Sequence, residues 1–129
     1  MNFEIEEKFV KDYINSAYRD RLSFELKSAN KRVSALMRFC HNTEVLVKKQ
    51  CIFAKLIKFD TAQLKSFLNE GQYYVLSDKY LNGIFLNVDE VLEYIADEYM
   101  PIIICGKSTA LIKKEFEKGE INFYLLKNS

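Results

Sequence analysis

Apolar positions in the first forty residues recur at helical spacing, whereas later in the chain several gather into short runs separated by polar turns. Phe9, Val10, Tyr13, Ile14 and Ala17 form one stripe of a helix that Asn2 can cap and that extends to about Tyr18. Glu4, Glu6 and Glu7 fall in its first turn, where the helix dipole favours anions. Arg19 to Lys27 reads as a second short helical piece capped by Asp20, although Leu22, Phe24 and Leu26 alternate as a strand would. Val33, Leu36, Met37 and Cys40 then recur at i, i+3, i+4 and i+7, which predicts a third helix capped by Ser28 or Asn30. His41-Asn42-Thr43 breaks that pattern, and residues 44–50 fit either a helical extension or a loop. Residues 51–59 are β-branched and aromatic enough for a strand, with a helix as the alternative.

From Asp60 the signals sharpen. Asp60-Thr61-Ala62-Gln63 has the form of a capping box, Leu64, Phe67 and Leu68 supply the buried face, and Gly71 ends the helix. Residues 73–77 and 83–87 predict a hairpin joined by Asp78-Lys79-Tyr80-Leu81-Asn82, with Asn82-Gly83 supplying positive φ. Asp89 caps the clearest helix, whose Val88, Val91, Leu92, Ile95 and Tyr99 form one stripe opposite Asp89, Glu90, Glu93 and Asp97. Pro101 opens and Gly106 closes Ile102-Ile103-Ile104-Cys105, a run too short for a helix and expected to be the buried central strand. A helix over 108–118, stopped by Gly119, and a final strand over 121–126 complete the prediction. The order of elements predicts one globular domain over residues 1–129, of α+β or α/β class. Its N-terminal helices are expected to pack on one face of a mixed sheet of four or five strands.

Composition narrows the class. Apolar residues make up 49% of the 129 residues and only one is proline, which excludes a disordered chain. No apolar run approaches the ~18 residues needed to span a bilayer. The acidic, amphipathic N-terminus is the reverse of a signal peptide, so a cytoplasmic location without membrane association is expected. Cys40, Cys51 and Cys105 are odd in number, lack CxxC spacing and sit among apolar residues, as buried free thiols do.

The net charge of +1 hides an asymmetry. Residues 1–65 hold 13 Lys/Arg against 8 Asp/Glu, and residues 66–129 hold 6 against 10. Within 19–58 the ratio is 10 to 3. Arg19, Arg21, Lys31, Arg32, Arg38, Lys48 and Lys49 are therefore candidates for a phosphate backbone, although no zinc-finger, RNP or helix-turn-helix signature accompanies them. The acidic residues Asp89, Glu90, Glu93 and Asp97 are the candidates for docking a basic protein partner.

Catalytic motifs fail on inspection. Gly106-Lys107-Ser108-Thr109 suggests a phosphate loop, but the position five residues before Gly106 is Pro101, inside the strand, so no loop remains to wrap a phosphate. What survives is an anion held at a helix start by Lys107, Ser108 and Thr109. A thiolate phosphatase at Cys105 would need an arginine in the following loop, and none is present. Cys40 and His41 are adjacent, hence about 100° apart on a helix, and form no nucleophile–base pair. No cluster has metal-ligand spacing. No catalytic residue, cofactor or metal is expected.

Two stretches resemble a group of small bacterial proteins of unassigned function. Arg19-Asp20-Arg21-Leu22-Ser23-Phe24-Glu25-Leu26, Lys31-Arg32 and Phe39-Cys40-His41 resemble their N-terminal half. Tyr74-Val75-Leu76-Ser77-Asp78, Leu81-Asn82-Gly83 and strand 102–105 resemble the C-terminal half. The resemblance implies bacterial origin, a compact α/β fold, and a recurring polar cluster of Arg19, Arg21, Lys31, Arg32 and His41. It implies nothing catalytic.

The leading expectation is a small non-catalytic binding or interaction protein of the immunity or adaptor type, with another protein as partner. RNA or DNA binding through 19–58 is the alternative. A phosphate-compound enzyme or sensor at Lys107-Ser108-Thr109 is a third reading. A final strand at a sheet edge would pair with a second copy and make a homo-oligomer, whereas a central one would not.

Overall fold

The computed structural model describes residues 2–77 and 82–128. Helices α1 (Phe3–Tyr13), α2 (Ser16–Lys27), α3 (Arg32–His41) and α4 (Thr43–Leu46) come first, followed by a 3-10 turn (Lys49–Cys51) and strand β1 (Ile52–Leu56). Helix α5 (Thr61–Phe67), strands β2 (Tyr73–Ser77) and β3 (Phe85–Leu86), helix α6 (Val88–Ala96) and strands β4 (Ile102–Cys105), β5 (Thr109–Lys113) and β6 (Phe123–Lys127) complete the chain. The strands form one sheet in the order β1-β6-β5-β4-β2-β3. Every neighbouring pair is antiparallel. The chain is thus a single α+β domain. The sheet has six strands where four or five were expected, and it is antiparallel, not mixed.

The isoleucine strand sits inside the sheet as predicted. β4 lies between β2 and β5, and all four of its residues are buried. Successive side chains of a strand point to opposite faces, and here both faces are covered. Ile103 and Cys105 pack with Tyr74, Leu76, Ala110, Ile112, Tyr124 and Leu126 under α1, α2 and α3, against Phe9, Tyr13, Leu36 and Phe39. Ile102 and Ile104 join Tyr73, Val75, Leu111, Phe123 and Leu125 on the other face, under Leu64, Phe67 and Leu68 of the α5 segment and Val91, Leu92 and Ile95 of α6. The N-terminal helices cover one face as expected, and the two later helices cover the second. This double coverage explains the unbroken apolar runs, which are more usual in parallel sheets.

Several predicted helix boundaries and caps moved, the first of them for a tertiary reason. The first helix ends at Tyr13, not Tyr18, because Ile14 pairs with Val47 and Asn15 N–H donates to the Leu46 carbonyl. The chain re-enters a helix at Ser16, so 19–27 lies within α2 and Asp20 is not its cap. Asn87, not Asp89, caps α6. Its side chain accepts from Glu90 N–H while the Glu90 carboxylate accepts from Asn87 N–H, a complete capping box. Neither Ser28 nor Asn30 occupies the cap of α3, where Lys31 stands without a side-chain cap bond. The Asp60 cap did form, on Gln63 N–H, but α5 ends at Phe67, before Gly71.

The larger correction concerns residues 108–118. They hold no helix; Thr109–Lys113 is β5, paired with β4 on one side and β6 on the other. Consecutive Leu111 and Ile112 suit a strand buried on both faces. Lys113 is accommodated there because its ammonium donates to the carbonyls of Met100 and Lys114. Asn122 organises the following loop, donating to the carbonyls of Ile57, Glu117 and Glu120 and accepting from Glu117 N–H. The final strand is interior, between β1 and β5, so it offers no free edge to a second copy; β1 and β3 form the edges. β2 and β3 pair as the predicted hairpin, and Gly83 has φ of 85°. Asp78 to Leu81 lie outside the described residues.

Candidate functional site

The Gly106–Thr109 segment is the turn of the β4–β5 hairpin, closed by Gly106 N–H donating to the Thr109 carbonyl at 2.8 Å. Its amides already bind an anion, and that anion is Glu70. The Glu70 carboxylate accepts from Lys107 N–H at 2.5 Å, Ser108 N–H at 3.2 Å, Thr109 N–H at 3.1 Å and the Thr109 hydroxyl at 2.7 Å. Successive amides turned to one point form a concavity for anions. Burial pushes this carboxyl up, but the Thr109 hydroxyl and the three amides outweigh it and hold it below its usual range. The expected anion site at Lys107, Ser108 and Thr109 is therefore corrected in two respects: no helix begins there, and the chain's own carboxylate fills the amide nest.

The thiols are buried and free. Burial pushes Cys40 and Cys105 well above the ordinary thiol value, so neither is a ready nucleophile. We expect all three cysteines to resist a disulfide reagent in the native protein and to react promptly in urea, measured as thiolate release; a fast native phase would contradict the burial. His41 closes α3, with Nε2 3.5 Å from Glu115 Oε2, and so faces an acid rather than a thiol. Among the described residues no group of three or more His, Cys, Asp or Glu side chains is arranged to hold a metal ion.

The basic candidates scatter into separate local contacts. Arg32 is only 6% exposed. Its guanidinium grips Glu6 bidentately at 2.6 and 2.7 Å and also donates to the Leu26 carbonyl and Asn82 Oδ1. The Tyr74 hydroxyl donates to the same Glu6 carboxylate at 2.6 Å, and burial with that neighbour pushes the phenol up to about 12. Arg32 is thus a core ion pair joining α1, α3 and β2, not a phosphate ligand. Arg19 Nε donates to the Ile14 carbonyl, Lys48 donates to the Lys11 carbonyl, and Lys31 lies over the Phe24 ring. Arg21 and Arg38 both meet Glu25. Lys49 is exposed. The polar cluster implied by resemblance is likewise divided among these contacts and the His41–Glu115 pair.

The acidic candidates do share a surface. Asp89, Glu90, Glu93 and Asp97 are all exposed. At 100° per residue the first three and the C-cap Asp97 fall within about one third of the helix circumference. Asp89 approaches Lys65 at 4.0 Å, and Glu90 serves the capping box. Beyond Asp97 the surface continues into a cleft of about 260 Å3 lined by Ala96, Asp97, Glu98, Tyr99 and Phe116. Tyr99 is 69% and Phe116 52% exposed, and their rings meet edge to face at 5.9 Å. Phe116 N–H donates to the Tyr99 carbonyl, which holds the two together.

Sequence reading missed the Phe116 partner and the Glu70 nest, since both depend on chain segments meeting across space. It also placed Tyr99 on a buried stripe, whereas α6 ends at Ala96 and turns Tyr99 outward. Among the described residues no helix is long and apolar enough to cross a membrane. Compared with family models, curated proteins and solved structures, the chain has no significant match.

Proposed function

We propose that this chain is a non-catalytic protein-interaction module whose acidic, aromatic surface docks a basic partner, as an immunity- or adaptor-type protein would. The observation that carries this reading is the exposed Tyr99–Phe116 pair set against Asp97 and Glu98. Exposed aromatics held in a fixed geometry supply contact area at low entropic cost, and their faces attract Arg or Lys. Carboxylates around them steer and orient a cationic partner. Like charges at Glu93 and Asp97, four residues apart, gain nothing from helix stability, and an acidic C-cap opposes the dipole. A docking role gives both a use.

The test is affinity capture run in parallel with and without nuclease, followed by surface variants. Tyr99→Ala and Phe116→Ala are expected to weaken a captured basic partner by ~2 kcal/mol each, roughly 30-fold. Glu93→Lys with Asp97→Lys is expected to slow association while leaving thermal stability nearly unchanged. Glu90→Lys is unsuitable because it also breaks the capping box. Affinity that is indifferent to all four substitutions would remove this surface from the proposal. Recovery of nucleic acid alone, lost with nuclease or high salt, would overturn it in favour of the basic segment.

A further inference from the structure

A second cleft, independent of the acidic surface, opens on the first helical layer. It has a volume of about 230 Å3, and its wall is built from α2, α3 and α4. Leu22, Ala35, Phe39 and Leu46 give it an apolar floor, while Arg21 and Arg38 stand over it with Glu25. A space of this size takes several water molecules or the body of a small organic molecule.

The charge balance selects the ligand. Glu25 Oε1 is shared, bonded by the Arg38 guanidinium and approached by Arg21 Nε at 3.5 Å. One carboxylate against two guanidiniums leaves one positive charge over an apolar floor. The Glu25 side chain is only 11% exposed and already committed, whereas Arg21 is 72% exposed. Arg21 meets Glu25 through Nε, so the fork of its terminal nitrogens is left to recognise a second carboxylate. Val45 and Tyr18 extend the apolar rim.

We infer that this cleft binds a small amphipathic monocarboxylate, with its apolar body on Leu22, Phe39 and Leu46 and its head group on Arg21 and Arg38. Neutral compounds of the same shape would bind more weakly, and the matching amine would be repelled. The inference stands apart from the docking surface, so either can fail alone.

The experiment is a nuclear magnetic resonance titration of the full chain with 3-phenylpropionate, 3-phenylpropanol and 3-phenylpropylamine. The acid is expected to shift Leu22, Ala35, Phe39 and Leu46 saturably at millimolar concentration, the alcohol more weakly, and the amine not at all. Arg21→Glu, and separately Val45→Glu, should weaken the acid about tenfold or more, since each places a like charge at the mouth. Both positions are exposed, and a cooperative melting transition without ligand verifies folding. Equal shifts from acid and amine, shifts centred elsewhere, absence of any shift, or undiminished binding by both variants would overturn the inference.

Discussion

Arg32→Met is expected to cost about 3–5 kcal/mol of folding stability, the largest effect of any single polar substitution considered for this chain. The substitution leaves Glu6, 2% exposed, as a buried carboxylate whose remaining side-chain hydrogen bond among the described residues is from the Tyr74 hydroxyl. Burial alone disfavours the charged guanidinium, but the Glu6 hydrogen bonds and charge overcome this and raise Arg32 further above its ordinary value. Removing one partner of such a pair is much worse than removing both. Glu6→Leu with Arg32→Met should therefore recover a substantial part of the loss. Chemical denaturation of the two single variants and the double variant measures this, and the Arg32→Met midpoint should fall by about 10–25 °C on heating. Additive losses in the double variant would mean that the two groups do not act as a pair. Arg32 Nε is buried without a hydrogen-bond partner among the described residues, so the pair is also imperfectly satisfied. That imperfection favours recovery in the apolar double variant.

The second large expectation concerns Glu70 and pH. Its carboxyl is held below the usual range by the Thr109 hydroxyl and three amides, acting against burial. A depressed folded value means that the ionised form stabilises the fold. The contribution is complete above the unfolded carboxyl's value of ~4.3 and disappears as pH falls through the lower folded value. Glu70→Gln should cost about 1–2 kcal/mol at neutral pH, at the low end for charge-assisted bonds because the site is partly open to water. The difference between wild type and variant should close on acidification below about pH 4. A constant difference down to pH 2 would contradict this latch of the ionised Glu70 carboxylate in the amide nest.

Gly106 supports the same geometry. A Cβ there would lie 2.4 Å from Glu70 Oε2 and 2.6 Å from Tyr73 Cε1, so Gly106→Ala must displace the carboxylate. Its cost should shrink in a Glu70→Ala background, with the Tyr73 contact accounting for what remains. The stretch that first suggested a phosphate loop thus does hold an anion, supplied from within the chain.

Local pattern alone determined the central strand, the apolar stripes of α1 and α3, the Asp60 cap and the hairpin of β2 and β3. In each case short-range spacing or a capping side chain carries the signal, whereas 19–27 fitted helix and strand alike. Tertiary structure decided the rest. Ile14 and Asn15 leave the helix because Val47 and Leu46, at the end of α4, offer them backbone partners. Thr109–Lys113 is a strand because β4 and β6 stand on both sides of it, a context that five apolar-rich residues do not announce. The runs are continuous although the sheet is antiparallel, because a second helical layer buries the face that would otherwise carry polar residues. The candidate sites follow the same division. The acidic face of α6 was legible from 100° spacing. The pairing of Tyr99 with Phe116, the Arg32–Glu6 pair, the Glu70 latch and the arginine-rimmed cleft all join residues far apart in sequence. Periodicity places a side chain on a face of its own element; only the folded chain decides which partner that face meets.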